Sequence, residues 1–457
     1  MVTYIKNNRS DSLITIYIVN KNYARFLEKS IKSALEQSYK NIELIIVDDN
    51  SNDNSKKIIE KYGKLKSVKF LFNKKSIGLI KSSNIAIKLA EGKYVLRIDA
   101  DDYLDKNAIL LMYNEIKKFN NTAIIFPDYY IVDKKSNILS HEKQLDYKKK
   151  FIEYKPILAA GCLIKKSCLL EVNLYDERFK NQDGYDLWYK IIKNYKIRHL
   201  PMPLFYYRRH SKNLTSDKKK IFRTRSKILK KFATQKLKNK KLSKICIIPV
   251  RGVNMDKNCP SQQIVNGKPI YFYSIDSAIK TNIFDKIIFS TADNKILKKI
   301  KFKYKEKVVC HLRKKKFAYL HMDPKPSILE AIKKYNKKTP DIIVFFDISY
   351  PYKPIHYIEQ AVNNLLLHES DMVISTIPDL ENDYYTYTNS GIKLLSNERN
   401  DLLKLEKKII LKSAGGIKVY NYLAYKTDQI NKTTNILIDQ KSAKNFSRIN
   451  EQDFVKL

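Results

Sequence analysis

Between residues 14 and 98 the chain alternates two hydrophobic rhythms. Short apolar runs at 14–19, 42–47, 68–72 and 94–98 are almost unbroken and rich in β-branched residues, as strands covered on both faces require. Between them the apolar positions recur every three or four residues, which predicts helices over 24–37, 54–62 and 82–90. Strands separated by helices predict parallel βαβ units and a doubly wound sheet, whose ligands bind beyond the carboxyl ends of the strands. A second alternation begins at Ser243, with strands over 245–250, 286–290, 342–346 and 372–375 and helices near 271–280, 327–335 and 355–367. The expected architecture is α/β, with two doubly wound, Rossmann-like domains over 1–215 and 244–457 joined by a basic helical linker over 216–243. No short-period repeat links the halves.

From Lys218 to Lys241 the connecting stretch holds no acid, and Ile221, Phe222, Ile228, Leu229 and Phe232 recur at near-helical spacing. Two readings follow from such a stripe flanked by cations. One is peripheral membrane contact through 218–241, since anionic lipid rewards each nearby Lys or Arg. The other is a solvated helix that packs its stripe on the first domain and leads into the linker.

Composition narrows the function classes. At 457 residues, 44% of them hydrophobic, the chain is long enough for two or three cores and is not disordered. Lys+Arg 88 against Asp+Glu 47 leaves a formal charge of +41, which attracts nucleic acid, anionic lipid or phosphorylated substrates. The lysines are scattered, however, and no nucleic-acid module or interleaved stacking aromatics accompany them, so a nucleic-acid-binding protein is the least favoured class and no nucleic acid is expected as partner. Cys162, Cys168, Cys246, Cys259 and Cys310 show no CxxC or metal-site spacing, which predicts reduced thiols in a cytosolic chain. The apolar run near residues 13–19 is short and lacks a small-residue cleavage site, and no stretch is long enough to cross a bilayer. The expected location is cytoplasmic, with any membrane association peripheral, at the inner face of the plasma membrane.

The candidate chemistry sits where two predicted strands end. One delivers Asp99-Ala100-Asp101-Asp102, three carboxylates within four residues, and the other Val47-Asp48-Asp49-Asn50-Ser51. Parallel topology brings both clusters to one crevice. Asp, Asn and Ser also favour helix N-caps and Asx turns, which is the alternative for either cluster alone. Hard cations such as Mn²⁺ or Mg²⁺ take few oxygen ligands from protein when phosphate oxygens supply the rest, so the first cluster points to a nucleotide diphosphate.

These motifs, with Phe26-Leu27-Glu28-Lys29-Ser30-Ile31-Lys32-Ser33-Ala34-Leu35-Glu36-Gln37-Ser38-Tyr39 and Asn73, Gly78, Asn84 and Ala90 in order between them, make residues 13 to about 215 similar to the family 2 glycosyltransferases, inverting enzymes of the GT-A nucleotide-sugar-binding fold. The resemblance implies that Asp48 and Asp49 hold the base and ribose of the donor, that Asn73 and Asn84 belong to the nucleotide-sugar site, and that Asp99 and Asp101 form a metal-binding DxD for Mn²⁺ or Mg²⁺. It implies that Asn181-Gln182-Asp183-Gly184-Tyr185-Asp186-Leu187-Trp188 carries the catalytic base. Asp183 is the first choice and Asp186 the alternative, because an extra Gly184 separates Asp183 from the aromatic residue. Tyr207-Arg208-Arg209-His210 resembles the segment that closes the site, where His210 reaches metal or diphosphate and the arginines suit phosphate. The implied partners are a nucleotide-diphosphate sugar donor and a glycan or lipid-linked acceptor, in synthesis of a bacterial surface polysaccharide or glycoconjugate.

Residues 244–457 resemble the cytidylyltransferases that make CMP-activated acidic sugars. Ile247-Ile248-Pro249-Val250-Arg251-Gly252 looks like their first strand and phosphate loop, and Asn266-Gly267-Lys268 follows at the expected distance, which implies a nucleotide site at Arg251, Gly252 and Lys268. Met255 stands where that pattern has a Lys for the triphosphate, and Ser447 and Ile449 where it has metal-binding aspartates. The expectation is a degenerate relative without its own catalysis. The alternative is a bifunctional protein whose second half activates an acidic sugar with CTP.

Overall fold

The computed structural model describes residues 11–119, 121–144, 160–211, 213, 217–238, 240–252, 259–319, 321–336, 338–379, 385–388, 391–394 and 410–446. Its chain contacts divide into two compact units, Met1–Asp217 and Lys218–Leu457.

The first unit runs β1 (Ile14–Asn20), α1 (Ala24–Leu35), β2 (Ile42–Asp48), α2 (Ser55–Tyr62), β3 (Val68–Phe72), α3 (Leu79–Leu89), β4 (Tyr94–Asp99), β5 (Tyr103–Leu104), α4 (Ala108–Lys117), β6 (Thr122–Val132), β7 (Ile138–Glu142), β8 (Leu163–Lys165), α5 (Lys166–Glu171), α6 (Asp183–Ile191) and β9 (Lys196–Arg208). One sheet orders these strands β3-β2-β1-β4-β8-β6-β9-β5, with β7 on β6. α1, α2 and α4 cover one face through Leu27, Ile31, Ile59 and Met112. The other face packs Ile87, Leu169 and Trp188 under α3, α5 and α6.

The first four strands are parallel, as the rhythm of the sequence predicts. Beyond β4 the sheet is mixed: β8 runs antiparallel to β4 and β6, and β7 is the hairpin partner of β6, as a short connection requires. β6 and β9, both long, were not legible in the sequence. Pro127 interrupts one and Pro201 and Pro203 the other, and proline argues against a central strand. The ladder absorbs them as irregularities, shifting register on either side of Asp128.

The second unit opens with α7 (Lys218–Leu237), then β10 (Lys244–Val250), β11 (Ile264–Val265), β12 (Lys268–Pro269), α8 (Ile270–Thr281), β13 (Lys286–Thr291), α9 (Asn294–Tyr304), β14 (Val309–Leu312), α10 (Lys325–Tyr335), β15 (Ile342–Phe346), α11 (Ile355–His368), β16 (Met372–Asp379), β17 (Tyr385–Thr388), β18 (Gly391–Leu394), β19 (Ile410–Asn421), α12 (Tyr422–Thr427) and β20 (Thr433–Leu437). Its main sheet orders β14-β13-β10-β15-β19-β16-β20, with β19 antiparallel to both neighbours. β19 also went unread, because Gly415 and Gly416 interrupt it at φ +76° and +61°. A Cβ there would strike Ile438 or Asp347.

The basic stretch is helix α7, and it packs along α11 within the second unit. Ile228, Leu229 and Ala233 are buried, the Phe222 ring lies 5.6 Å from that of Tyr357, and Lys230 pairs with Glu359 at 3.1 Å. The buried residues of the apolar stripe thus have a partner in α11, and the helix counts with the second unit. Periodicity announces that a stripe needs a partner but does not identify it. Among the described residues no helix is long and apolar enough to cross a membrane, and all five cysteines are free thiols.

One buried cation makes the second unit's stability depend on pH. Lys353 donates to the Asp347 carbonyl at 2.6 Å, to Ser274 Oγ at 3.1 Å and to the Tyr350 carbonyl, and burial pushes its pKa down to about 7. Between that value and the ordinary lysine range the unfolded chain binds a proton that the folded chain does not. Stability therefore rises with pH from about 7 to about 10, by up to about 1.4 kcal/mol per unit. Protection factors of the β10 and β15 amides, taken against the intrinsic exchange rate at each pH, should rise over that range in wild type, and that pH dependence should flatten in Lys353→Met.

Candidate active site

β1 lies between β2 and β4, and the strand order reverses there, so the crevice beyond its carboxyl end is the switch point of the sheet. Register places Asn20 beside Asp48 and Val19 beside Asp99, so both acid clusters reach the same edge.

The Asp48-Asp49 cluster is mostly inward-facing. Asp48, 3% exposed, accepts from Asn20 Nδ2 at 2.7 Å, Ser51 N at 2.9 Å and Ser51 Oγ at 2.7 Å. Asp49, 2% exposed, accepts from Ile77 N at 2.7 Å, Ser76 Oγ at 2.7 Å, Gly78 N at 2.9 Å and Asn73 Nδ2 at 3.0 Å. Burial alone would raise the Asp49 carboxyl, but these donors together outweigh it and hold the group below the usual carboxylate range. Asn73 also donates to Ser82 Oγ at 3.0 Å, so Asp49 and Asn73 shape the loop leading into α3. Asn84 lies apart from them. Its amide exchanges hydrogen bonds with the Tyr175 backbone at 3.0 and 3.1 Å, strapping α3 to the segment before α6.

The second cluster gathers the groups that could meet a ligand. Asp99, with 29% of its side chain exposed, lies 3.0 Å from Arg97 Nε. Asp101 Oδ2 lies 2.8 Å from His210 Nε2. Asp102 is buried and accepts from Arg208 N at 2.8 Å, and burial, followed by the charges of Asp101 and Asp99, holds its carboxyl well above the usual range. Arg208 departs from the sequence reading. It is 2% exposed and donates from Nε to the Asp101 carbonyl at 2.8 Å and from Nη1 to the Asp133 carbonyl at 2.8 Å and Ser136 Oγ at 3.0 Å. This arginine is a strut between the acid turn and the β6–β7 turn, because its donors are consumed by main chain.

These are the residues of the unit that could hold a divalent cation. Three acids crowd one turn, and the charges of Asp101 and Asp99 add to burial in raising the proton affinity of Asp102, which a cation would relieve. Asp99, Asp101 and His210 offer two hard oxygen donors and an imidazole. Among the described residues no three His, Cys, Asp or Glu side chains are gathered ready to hold a metal. That arrangement suits an ion that takes most of its shell from phosphate oxygens.

Sequence reasoning missed Tyr23 and Phe26, from the start of α1, whose rings flank His210 at centroid distances of 5.6 and 5.5 Å. Burial, then Asp101, Asp99 and Asp102, push the Tyr23 hydroxyl far above the ordinary tyrosine range. The signal available was an aromatic pair three residues apart in the opening turn of a helix.

Asp183 is the first residue of α6, and its side chain lies outside the described residues. Asp186, 1% exposed, sits 3.2 Å from Lys190 Nζ, which also donates to the Leu174 carbonyl at 2.8 Å. In the second unit Arg251 and Gly252 follow β10, and Gly252 adopts φ +88° with Asp293 packed against it. Lys268 is held by the Asp276 carboxylate of α8. Arg313, which the sequence reading did not single out, is buried at the end of β14, donates to the Ser290 carbonyl at 3.1 Å, and is pushed down to about 10 by burial and by Arg251. Met255, Ser447 and Ile449 lie outside the described residues.

Residues 15–178 match the family model described as glycosyl transferase family 2. An uncharacterized glycosyltransferase of Rickettsia prowazekii is 32% identical over 198 residues, 41% of this chain and 61% of that protein. The chondroitin synthase of Escherichia coli is 31% identical over 130 residues, 28% of this chain and 19% of that protein. The chain thus spans less than two thirds of the length of either relative. Among solved structures, S. aureus TarS 1–349 in complex with UDP-GlcNAc aligns with 50% of this chain and 68% of its own at 19% identity and a TM-score of 0.42.

Proposed function

We propose that the first unit is a metal-dependent, inverting glycosyltransferase that moves a sugar from a nucleotide diphosphate to an acceptor hydroxyl of a glycan or lipid-linked glycan. The observation that carries this reading is the Asp101–His210 pair at 2.8 Å beside Asp99, at the switch point of a sheet whose sequence matches the family. Asp99, Asp101 and His210 would hold Mn²⁺ or Mg²⁺, which when bound neutralises charge on the departing diphosphate. The backbone loops shaped by Asp48 and Asp49 form the floor on which the nucleoside rests. Asp183 takes the proton of the acceptor hydroxyl as its oxygen forms the new bond to the anomeric carbon and the bond to the diphosphate breaks.

The test is a thermal-shift and turnover screen of UDP-, GDP- and dTDP-sugars with and without Mn²⁺, using the full chain. A donor that binds the folded state raises its melting point by mass action. No shift and no turnover with any of them would remove the proposal. The choice of base follows from two variants. Asp183→Asn should bind donor normally and lose turnover by about 10²–10⁴-fold, whereas Asp186→Asn should mainly lose stability, because it breaks the buried pair with Lys190.

A second reading concerns the second unit, where Arg251 follows β10, the buried Arg313 follows β14, and the Arg251 charge helps to lower the proton affinity of the Arg313 guanidinium. That arrangement favours an anionic ligand such as a nucleotide. Pyrophosphate release from CTP and a nonulosonic acid by the full chain would make the protein bifunctional, and its absence would leave binding alone.

A further inference from the structure

The opening turn of α1 supplies an aromatic side chain that the packing of that helix does not require. Leu27, Ile31 and Ala34 bury the helix on the sheet, but Phe26 is partly exposed and belongs to neither apolar core of the unit. Its ring instead lies nearly parallel to the imidazole of His210, with centroids 5.5 Å apart and an interplanar angle of 18°. The Arg208 guanidinium stands 4.8 Å from the centre of the same ring. Tyr23 meets the imidazole at 5.6 Å and 56°, Asp101 Oδ2 lies 2.8 Å from its Nε2, and the His210 backbone N–H donates to Asn213 Oδ1 at 2.5 Å.

An aromatic face stacked on an imidazole restricts its rotation about the side-chain torsions, whatever hydrogen bonds the ring also makes. We infer that Phe26 is a positioning residue for donor binding: it holds the imidazole of His210 flat, so that the Asp101–His210 pair keeps one orientation toward the diphosphate and its cation. This inference rests on the glycosyltransferase reading above. Phe26 itself touches no reacting atom. The strut Arg208 braces the ring from outside the pair, so the acid turn, the helix start and the closing segment are coupled through one side chain.

The experiment uses the full chain with Mn²⁺ alone, titrated by electron paramagnetic resonance, and with Mn²⁺ plus UDP, in wild type, Phe26→Leu, Phe26→Tyr and Asp101→Ala. Phe26→Leu should weaken Mn²⁺ binding by about tenfold, the scale of one lost aromatic contact, while Phe26→Tyr restores it. The His210 Hε1 resonance, assigned by its loss in His210→Gln, should show a ring-current shift that shrinks in Phe26→Leu to the part contributed by Tyr23. Retained Mn²⁺ affinity in Phe26→Leu alongside its loss in Asp101→Ala would overturn the positioning role and leave the glycosyltransferase reading standing. Wild-type affinity in both variants would remove the metal site and the clamp with it. An unshifted His210 resonance in the wild type overturns the stacking without reference to any variant, including one that folds poorly.

Discussion

Asp101→Ala should leave the first unit folded and lower sugar transfer by about 10²–10³-fold or more, the range set by removing one preorganised group that meets developing charge. Asp101 sits in a buried pair with His210 and beside two other acids. Its carboxylate faces His210 and raises the proton affinities of Asp102 and Tyr23, so its charge works against its neighbours until a cation arrives. Melting of the variant without metal should therefore shift only modestly, the lost contact with His210 set against the relieved repulsion among the acids. Mn²⁺ should stabilise wild type by mass action and leave the variant unmoved. Melting curves with and without Mn²⁺, beside single-turnover rates, check both halves. An early-melting variant with normal Mn²⁺ binding would mean that Asp101 is a structural residue.

Arg208→Met should produce the largest loss of stability. The guanidinium serves the Asp101, Asp133 and Lys134 carbonyls and Ser136 Oγ at once, and its backbone N–H holds Asp102. Removing it leaves buried acceptors unpaired and takes a positive charge away from three acids, a cost of about 3–5 kcal/mol. Arg208→Lys should recover little, since one ammonium cannot span acceptors that a planar fork reaches together. Trp188 is the single tryptophan of the chain and is buried in the first unit, so its fluorescence in a urea titration reports that unit's unfolding directly. An unchanged midpoint would show that the strut is dispensable.

The parts of the fold legible in the sequence share a physical origin. β1 to β4 and the helices between them announce themselves because a strand covered on both faces must be apolar throughout and a covering helix must be apolar every third or fourth residue. β6, β9 and β19 stayed hidden because prolines and paired glycines contradict strand propensity, and the ladder tolerates them only by shifting register or by turning the chain through positive φ. The acids at the strand tips were legible for a related reason: their place follows from where an apolar run ends.

Thus the chain by itself determined that Asp48, Asp99 and Asp101 stand at one edge of a parallel sheet, since parallel pairing carries every strand's carboxyl end to the same side. Only tertiary structure decided what those acids face. His210 meets Asp101 across 109 positions of sequence, Arg208 turns inward to main-chain carbonyls, and α7 spends its apolar stripe on α11. Periodicity records which face of an element is buried. The partner that buries it is a long-range choice, made by packing and hydrogen bonding among residues that no local pattern connects.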